Sequence, residues 1–168
     1  GRIREAGMEK LYYEIELPLC LCLARMETRG VLVDQMALIR FGNMLTGGIE
    51  HDQEEIFRYA GQEFNINSPK QLGEILFEKL ELPPVKKTKS GYSTNAEVLE
   101  KLKNRHPIIE AILDYRTLTK LKSTYADGLV KEIAGDGRIH TTFQNMVTAT
   151  GRLSSTEPNL QNIPVRTE

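Results

Sequence analysis

The chain has 168 residues, of which 40% are hydrophobic and 27% are charged, and its formal net charge is −1. These proportions fit one or two modest domains with an apolar core. No apolar run approaches the roughly 20 residues of a membrane span and no secretory signal is recognised, so we expect a cytoplasmic protein that is not inserted in a membrane.

The cysteines and histidines do not have the spacing of metal ligands. Cys20 and Cys22 lie two apart and would point in different directions on a helix, so they cannot bridge one another. We predict that both are small core residues in a reducing compartment. The three histidines are scattered along the chain, so we expect no metal site built on histidine and cysteine.

The nearly neutral total charge conceals an uneven distribution. Residues 1–84 carry 9 basic and 14 acidic side chains, whereas residues 85–131 carry 10 basic and 5 acidic ones. A basic middle beside an acidic start is the pattern expected for local binding to phosphates. A solvated helical surface would show the same pattern, and charge alone leaves both interpretations open.

The first long predicted element is a helix. Apolar residues recur at helical spacing over residues 11–26, and residues 15–24 predict a buried helix. Pro18 is expected to kink or tighten this helix without ending it, and Gly30 is expected to end it. Residues 31–33 then predict a short buried strand or an extended link.

A longer helix is predicted next. Asp34 is a suitable N-cap for a helix that runs to about Ala60. Gly47 and Gly48 each cost roughly 1 kcal/mol relative to alanine in a helix interior, so a kink or a fray is expected at Gly47. The apolar side of this helix is predicted to contain Leu38, Phe41, Leu45, Ile49, Ile56 and Phe57.

Two shorter helices and a basic loop follow in the prediction. Ser68-Pro69 has the order of cap and proline that begins a helix, and Pro83-Pro84 ends it. Residues 86–94 are predicted to form a basic loop. Thr94 and Glu97 then predict a capping box for a short helix.

The last long helix is predicted to begin at Pro107, and strands follow it. Residues 135–137 signal a turn, and residues 138–143 alternate in the manner of a strand. A second strand over residues 147–153 is expected to pair with the first as a hairpin across residues 144–146. The buried stripe of the helix is predicted to contain Ile108, Ile109, Ile112, Leu113, Leu118, Leu121 and Leu129.

The end of the chain presents hydrogen-bond donors on a stiff backbone. Pro158 and Pro164 disfavour a helix between them, so polar side chains are offered from an irregular segment. Arginine and amides suit base edges and sugar oxygens, and in a duplex minor groove they read shape without reading sequence. The alternative is a loop in which the amides satisfy their own backbone, as in Asx turns. The side chains concerned are Arg152, Asn159, Gln161 and Asn162.

Two runs near the end of the chain resemble the signature that opens the palm of family A DNA polymerases. They are TATGRLSS at residues 148–155 and PNLQNIPVR at residues 158–166. Shorter runs upstream resemble the same family in the same order, at residues 26–34, 64–68, 75–78 and 115–125. The resemblance covers nearly the whole chain.

The resemblance implies a mainly α (α+β) fold, in which the long antiparallel helices of a polymerase thumb precede a short β-hairpin from the palm. It implies three parts: the end of an exonuclease-like domain and a junction at residues 1–33, the thumb at 34–134 with its tip at about 62–105, and the start of the palm at 135–168. The metal-binding aspartates of the family lie in motifs downstream of residue 168. We therefore expect a fragment of a DNA-directed DNA polymerase, a nucleotidyltransferase, that is inactive alone.

The resemblance also implies which residues bind DNA. Those expected to support the duplex near the primer terminus, with Arg152 in the minor groove, are Arg152, Asn159, Gln161, Asn162 and Arg166. Those expected to hold the primer backbone at the base of the thumb are Lys120, Lys122, Ser123 and Thr124. The candidates for phosphate contacts at the tip are Ser68, Lys70, Lys87, Lys89, Ser93 and Thr94. No catalytic residue and no metal ligand is expected in the chain.

The expected partner is a primer–template DNA duplex, bound by a monomer without regard to base sequence. Mg²⁺ and dNTPs are expected only in the full-length polymerase, because phosphoryl transfer needs two metal ions held by bridging carboxylates. The sequence does not separate replication from repair. The alternative is a non-catalytic nucleic-acid-binding helical module, for which the parent reading frame would not continue past Glu168 into an aspartate-bearing strand.

Overall fold

The computed structural model describes residues 2–85, 87–88 and 91–163, and of residues 87–88 it describes the backbone alone. Within these ranges the chain is mainly helical, with three two-stranded antiparallel sheets. The predicted fold class is therefore confirmed. None of the described helices combines the length and apolar character that crossing a bilayer would need. The chain divides into two compact units, residues 40–126 and residues 1–39 with 127–168.

The elements of the described ranges follow one another in this order. They are α1 (Arg2–Glu5), a π-helical segment (Leu11–Glu16), α2 (Leu17–Arg29), β1 (Val31–Leu32), α3 (Gln35–Ala60), α4 (Pro69–Gly73), a second π-helical segment (Glu74–Lys79), β2 (Lys87–Thr88), β3 (Gly91–Tyr92), α5 (Ala96–Leu102), α6 (Pro107–Leu121), a third π-helical segment (Lys122–Ala126), α7 (Asp127–Lys131), β4 (Arg138–Ile139), β5 (Thr142–Gln144) and β6 (Ser154–Thr156).

The 40–126 unit is organised around one apolar cluster between its helices. Complete burial of an aliphatic side chain stabilises a fold by about 1.5–3 kcal/mol. Part of each predicted apolar face of α3, α4 and α6 meets, together with α5, in this common core. Its fully buried members include Ile56, Leu72, Leu76, Leu99, Leu102, Ile108, Ile109 and Ile112. Leu118 and Leu121 lie outside the cluster, and Leu129 lies in α7 and not in α6 as predicted.

Two helices begin at the predicted caps. The Oδ1 atom of Asp34 accepts a hydrogen bond from the backbone N–H of Ala37 at 2.9 Å at the start of α3. The Oγ atom of Ser68 accepts from the N–H of Gln71 at 3.4 Å, ahead of Pro69 at the start of α4. Each cap satisfies an N–H group that has no partner within its helix.

The start of α5 corrects the prediction by one residue. Asn95 is the cap, and its Oδ1 atom accepts from the N–H of Val98 at 2.9 Å. Thr94 is buried, and the guanidinium of Arg116 donates to both its carbonyl oxygen and its hydroxyl. Because Arg116 engages both oxygens of Thr94, the neighbouring amide caps the helix.

The glycine pair in α3 does not interrupt the helix. A single helix spans Gln35–Ala60, so the predicted fray at Gly47 is wrong, whereas the alternative of a kink stays a prediction. A Cβ atom at Gly48 would lie only 2.8 Å from Cδ1 of Leu118 in α6. Close packing of the two helices at this glycine offsets the cost that glycine imposes on helix formation.

The helix at residues 11–29 forms as predicted, but most of it is exposed. The helical backbone continues past Pro18, and Gly30, at φ 63°, ends α2. Leu23 is buried, whereas Leu21 is 61% exposed. The apolar periodicity predicted a helix correctly, but the prediction that residues 15–24 are buried is wrong for this chain.

The cysteines of α2 are likewise on the surface. Cys20 and Cys22 are both free and exposed, so the prediction that they are core residues is wrong. Val31 and Leu32, which form β1, are 53% and 68% exposed, so the strand is present but not buried. No described helix or strand of the same unit buries these apolar side chains of α2 and β1.

The strand pairing also differs from the predicted hairpin. β4 pairs with β1, with Val31 opposite Ile139. β5 pairs with β6, with Thr142 opposite Thr156, so the returning strand lies at 154–156 and not at 147–153. Alternation within one strand does not specify its partner or register, which depend on residues distant in sequence.

Polar contacts hold α2 to these strands. The N–H of Phe143 donates to Oε1 of Glu27 at 2.6 Å. The Nδ1 atom of His140 lies 2.7 Å from the carbonyl oxygen of Glu27, and its Nε2 atom lies 3.1 Å from Oδ2 of Asp136. A Cβ atom at Gly30 would meet the ring of His140 at 2.8 Å, so this close approach requires glycine.

Candidate nucleic-acid interface

The described candidates for DNA contact that reach the surface lie in three places. We call these the C-terminal segment (residues 148–163), the lysine stretch (residues 120–124) and the α4 start (residues 68–70). The C-terminal segment belongs to one compact unit, and the other two belong to the 40–126 unit. Each place is therefore described by itself.

Two buried hydroxyl groups anchor the C-terminal segment. Thr141 and Ser155 are 4% and 2% exposed. The Oγ1 atom of Thr141 lies 2.7 Å from the carbonyl oxygen of Pro158 and 3.0 Å from that of Thr156. The Oγ atom of Ser155 lies 3.0 Å from Oγ1 of Thr141 and accepts from the N–H of Leu160 at 2.9 Å. The hydroxyls thus satisfy backbone groups whose burial without a partner would cost about 1–3 kcal/mol each.

Arg152 is presented to solvent by this anchored segment. Its carbonyl oxygen accepts a hydrogen bond from the hydroxyl of Thr148, which fixes the backbone from which its side chain projects. Gly151, at φ 71°, makes the turn just before it. An exposed guanidinium on a fixed backbone can donate to acceptors on a ligand, as the sequence predicts.

The amides of the segment are also exposed, but two of them stabilise the segment itself. The Oδ1 atom of Asn159 accepts from the N–H of Gln161 at 2.9 Å, which is an Asx turn. The Nε2 atom of Gln161 donates to the carbonyl oxygen of Leu153 at 2.8 Å. These bonds fit the alternative in which the amides serve their own loop. Each amide carries a second polar atom, so the bonds do not by themselves exclude a contact with DNA. Asn162 is exposed beside them.

The lysine stretch lies where α6 continues into its π-helical segment. Lys120, Ser123 and Thr124 are exposed, and Lys122 is half-buried. The hydroxyl of Ser123 donates to the carbonyl oxygen of Lys120 at 3.4 Å. All four predicted residues therefore share one continuous helical stretch, and two of them are cationic.

The α4 start combines a lysine with nearby acids. Lys70 is exposed, and Ser68 is half-buried with its hydroxyl capping the helix. Both residues line a cavity of about 350 Å³ whose lining also includes Glu74 and Glu78. Two carboxylates repel a phosphate, so the α4 start is the least favourable of the three places for binding a nucleic acid.

The remaining candidates are buried, are described by their backbone alone or lie outside the described residues. Ser93 and Thr94 are 9% and 6% exposed, so little of either side chain is open to a ligand in this structure, and their contact with phosphates stays a prediction. Thr94 is held by the half-buried guanidinium of Arg116, whose pKa is lowered by burial. Lys87 lies in β2, paired with Tyr92 in β3. Lys89 and Arg166 lie outside the described residues.

The described residues do not fit a catalytic metal pair. Across residues 2–85 and 91–163, no three His, Cys, Asp or Glu side chains are grouped so that they could hold a metal ion. Phosphoryl transfer by two metals needs carboxylates that bridge them.

Sequence reasoning missed Thr141 and Ser155. Ser155 lies inside the recognised motif, but a serine that is buried and one that contacts a ligand look alike in a sequence. Thr141 lies 14 residues earlier, in a stretch read only as part of a strand. The signal that distinguishes both is their burial, which sequence alone does not give.

The fold and these exposed groups define a mainly helical chain with candidate surfaces for nucleic acid. The model of the family described as DNA polymerase family A matches residues 35–168. The chain belongs to DNA polymerase family A, which confirms the resemblance of the two motif runs.

Relatives are similar over almost the entire chain. DNA polymerase I of Bacillus subtilis (strain 168) is 55% identical over 160 residues, which are 95% of this chain and 18% of the relative. DNA polymerase I of Geobacillus stearothermophilus is 54% identical over 167 residues, which are 99% of this chain and 19% of the relative. The chain thus spans about a fifth of the length of these relatives.

A solved structure has the same fold. It is the POL domain of Pol1 from M. smegmatis in complex with DNA primer-template and dNTP. The similarity covers 99% of this chain and 30% of that one, with a TM-score of 0.85 and 44% sequence identity.

Proposed function

We propose that this chain is the part of a DNA-directed DNA polymerase that grips the primer–template duplex. The parent polymerase, a monomer of the cytoplasm, would add nucleotides from dNTPs with Mg²⁺ in replication or repair. In this proposal residues 1–33 end an exonuclease-like domain, residues 34–134 form the thumb and residues 135–168 begin the palm. Family membership and a similar domain solved with primer-template support it.

The observation that carries the proposal is the exposed guanidinium of Arg152 on a segment fixed by buried hydroxyls. In the minor groove, acceptors lie at similar places for every base pair, so a fixed donor can bind there without reading sequence. Lys120 and Lys122 would attract phosphates, which position a duplex and make binding depend on salt.

Binding can be measured directly on the isolated chain. We expect labelled primer–template duplexes of unrelated sequences to bind with equal, weak affinity in fluorescence anisotropy. Affinity should fall steeply as salt rises from about 50 to 200 mM. R152A should weaken binding, whereas R25A, which removes an exposed arginine of α2, should not. Binding that is indifferent to salt, or an equal effect of the two variants, would refute the proposed grip.

Catalysis provides a separate test of the fragment's role. We expect the chain to extend no primer in the presence of Mg²⁺ and dNTPs, because its described residues hold no site for a metal pair. Extension should require the parent polymerase. Primer extension by the purified chain alone would contradict this assignment while leaving the binding result intact.

A further inference from the structure

Two branches of the C-terminal segment flank β6: residues 148–153, with Arg152, and residues 157–163, with the amides. The hydroxyls of Thr141 and Ser155 contact the second branch. Ser155 is inside β6, three residues after Arg152. Its Oγ atom accepts from the N–H of Leu160 and also lies 3.3 Å from the carbonyl oxygen of Pro158. The two hydroxyl groups therefore tie β6, which follows Arg152 in the chain, to the branch that carries the amides.

A second tie acts between the same two branches. Gln161 donates from Nε2 to the carbonyl oxygen of Leu153 at 2.8 Å. Leu153 is adjacent to Arg152, and Gln161 is adjacent to Asn162. The backbone next to Arg152 is thus bonded directly to the residue next to Asn162.

We propose that Thr141 and Ser155 are positioning residues for duplex binding, which fix the direction of Arg152 relative to the amides. The inference rests on the proposed function. Thr141 supplies the hydroxyl that reaches the carbonyl oxygens of Pro158 and Thr156, and Ser155 completes the bridge to Leu160. A ligand then binds donors that are already ordered, so less conformational entropy is lost on association.

A hydroxyl that only supports stability would behave differently from a positioning hydroxyl. T141V keeps the shape of the side chain and removes the hydroxyl, whereas T141S keeps the hydroxyl. Thr142, the next residue, is exposed, so T142V is a matched control for the same chemical change at the surface. S155A is a second variant in case T141V fails to fold, because it removes a hydroxyl without placing a methyl group among buried carbonyl oxygens.

The measurement is the affinity of each folded variant for one primer–template duplex at fixed salt, with circular dichroism to verify folding. We expect T141V and S155A to weaken binding about three- to tenfold, and T141S and T142V to bind as the wild type does. We also expect R152A to cost less affinity in the T141V background than in the wild type, because residues that act together are not additive.

Three outcomes would overturn the inference. They are wild-type affinity of both T141V and S155A, an equal loss in T142V, and strict additivity of T141V with R152A. A wild-type chain that binds no duplex would instead overturn the proposed function, and the inference with it. The two failures are distinguishable because only the second is seen in the unmodified chain.

Discussion

His140 has oxygen acceptors at both nitrogens of its ring. The Nδ1 atom faces the carbonyl oxygen of Glu27 at 2.7 Å, and the Nε2 atom faces the carboxylate of Asp136 at 3.1 Å. A neutral imidazole has one N–H and can satisfy one of these acceptors, whereas the imidazolium satisfies both. The Glu27 carbonyl and then the Asp136 carboxylate therefore raise the pKa of His140.

This histidine makes the stability of its unit depend on pH. A folded-state pKa above the unfolded value of about 6.5 gives a contribution that is complete below about pH 6.5 and is lost as the pH rises through the folded pKa. We expect an NMR titration of the His140 ring to give a pKa above 6.5, and D136N to lower it. H140Q should flatten the dependence of urea stability on pH in this range. A ring pKa at or below 6.5 would contradict the assignment.

At the scale of a single element, α3 contains two adjacent glycines in unlike surroundings. A Cβ atom at Gly47 would meet nothing within 4 Å, whereas one at Gly48 would lie 2.8 Å from Cδ1 of Leu118. We expect G47A to stabilise the chain by about 1 kcal/mol, the difference in helix propensity. G48A should gain less, because the Leu118 side chain must move. Urea unfolding of the two variants measures the difference, and an equal gain would show that α6 does not constrain Gly48.

The helices were predictable because their signals are local. The spacing of apolar residues, the cap at Asp34 and the stop at Gly30 all act within a few residues of the feature they determine. The cap of α5 was assigned to Thr94 and not to Asn95, because the partner of Thr94 is Arg116, 22 residues away. The residues next to Thr94 in the sequence give no sign of its contact with Arg116.

In the candidate site, too, the local features could be predicted and the long-range contacts could not. The prolines predicted an irregular segment after Pro158, and residues 159–163 are irregular in the structure. Arg152, which was predicted to lie in a strand at 147–153, is exposed outside any strand. The strand that carries the motif was misplaced, because the pairing of β5 with β6 is set by contacts across the intervening loop. The buried hydroxyl of Thr141 was missed for the same reason.

At the scale of the whole molecule, the two compact units bury apolar side chains unequally. The cluster of the 40–126 unit contains many fully buried aliphatic residues. Among the described residues of the other unit, Leu23 and Ile139 are the buried large aliphatic side chains. Leu21 and Met146 of that unit are 61% and 85% exposed. The periodicity of α2 indicated which side chains favour burial but not whether this chain covers them.

Unequal burial should give the units unequal local stability. Amide hydrogens exchange through the opening of cooperative regions, and regions with few buried apolar contacts open at the lowest free energy. We expect hydrogen–deuterium exchange to be slowest at the amides of Leu99 and Ile112 and faster throughout α2.

Two leucine substitutions can test whether the buried core causes this difference in hydrogen-exchange protection. Leu99 is fully buried in the 40–126 unit, so L99A should lower the protection of that unit by about 2–5 kcal/mol. L21A removes the same atoms from an exposed position of α2, where little transfer free energy is lost, so it should leave protection in the 40–126 unit unchanged. If the α2 amides were as protected as that of Ile112 in the wild type, the exposed apolar helix would be covered in solution, and self-association of the chain through α2 would be the first arrangement to examine by sedimentation.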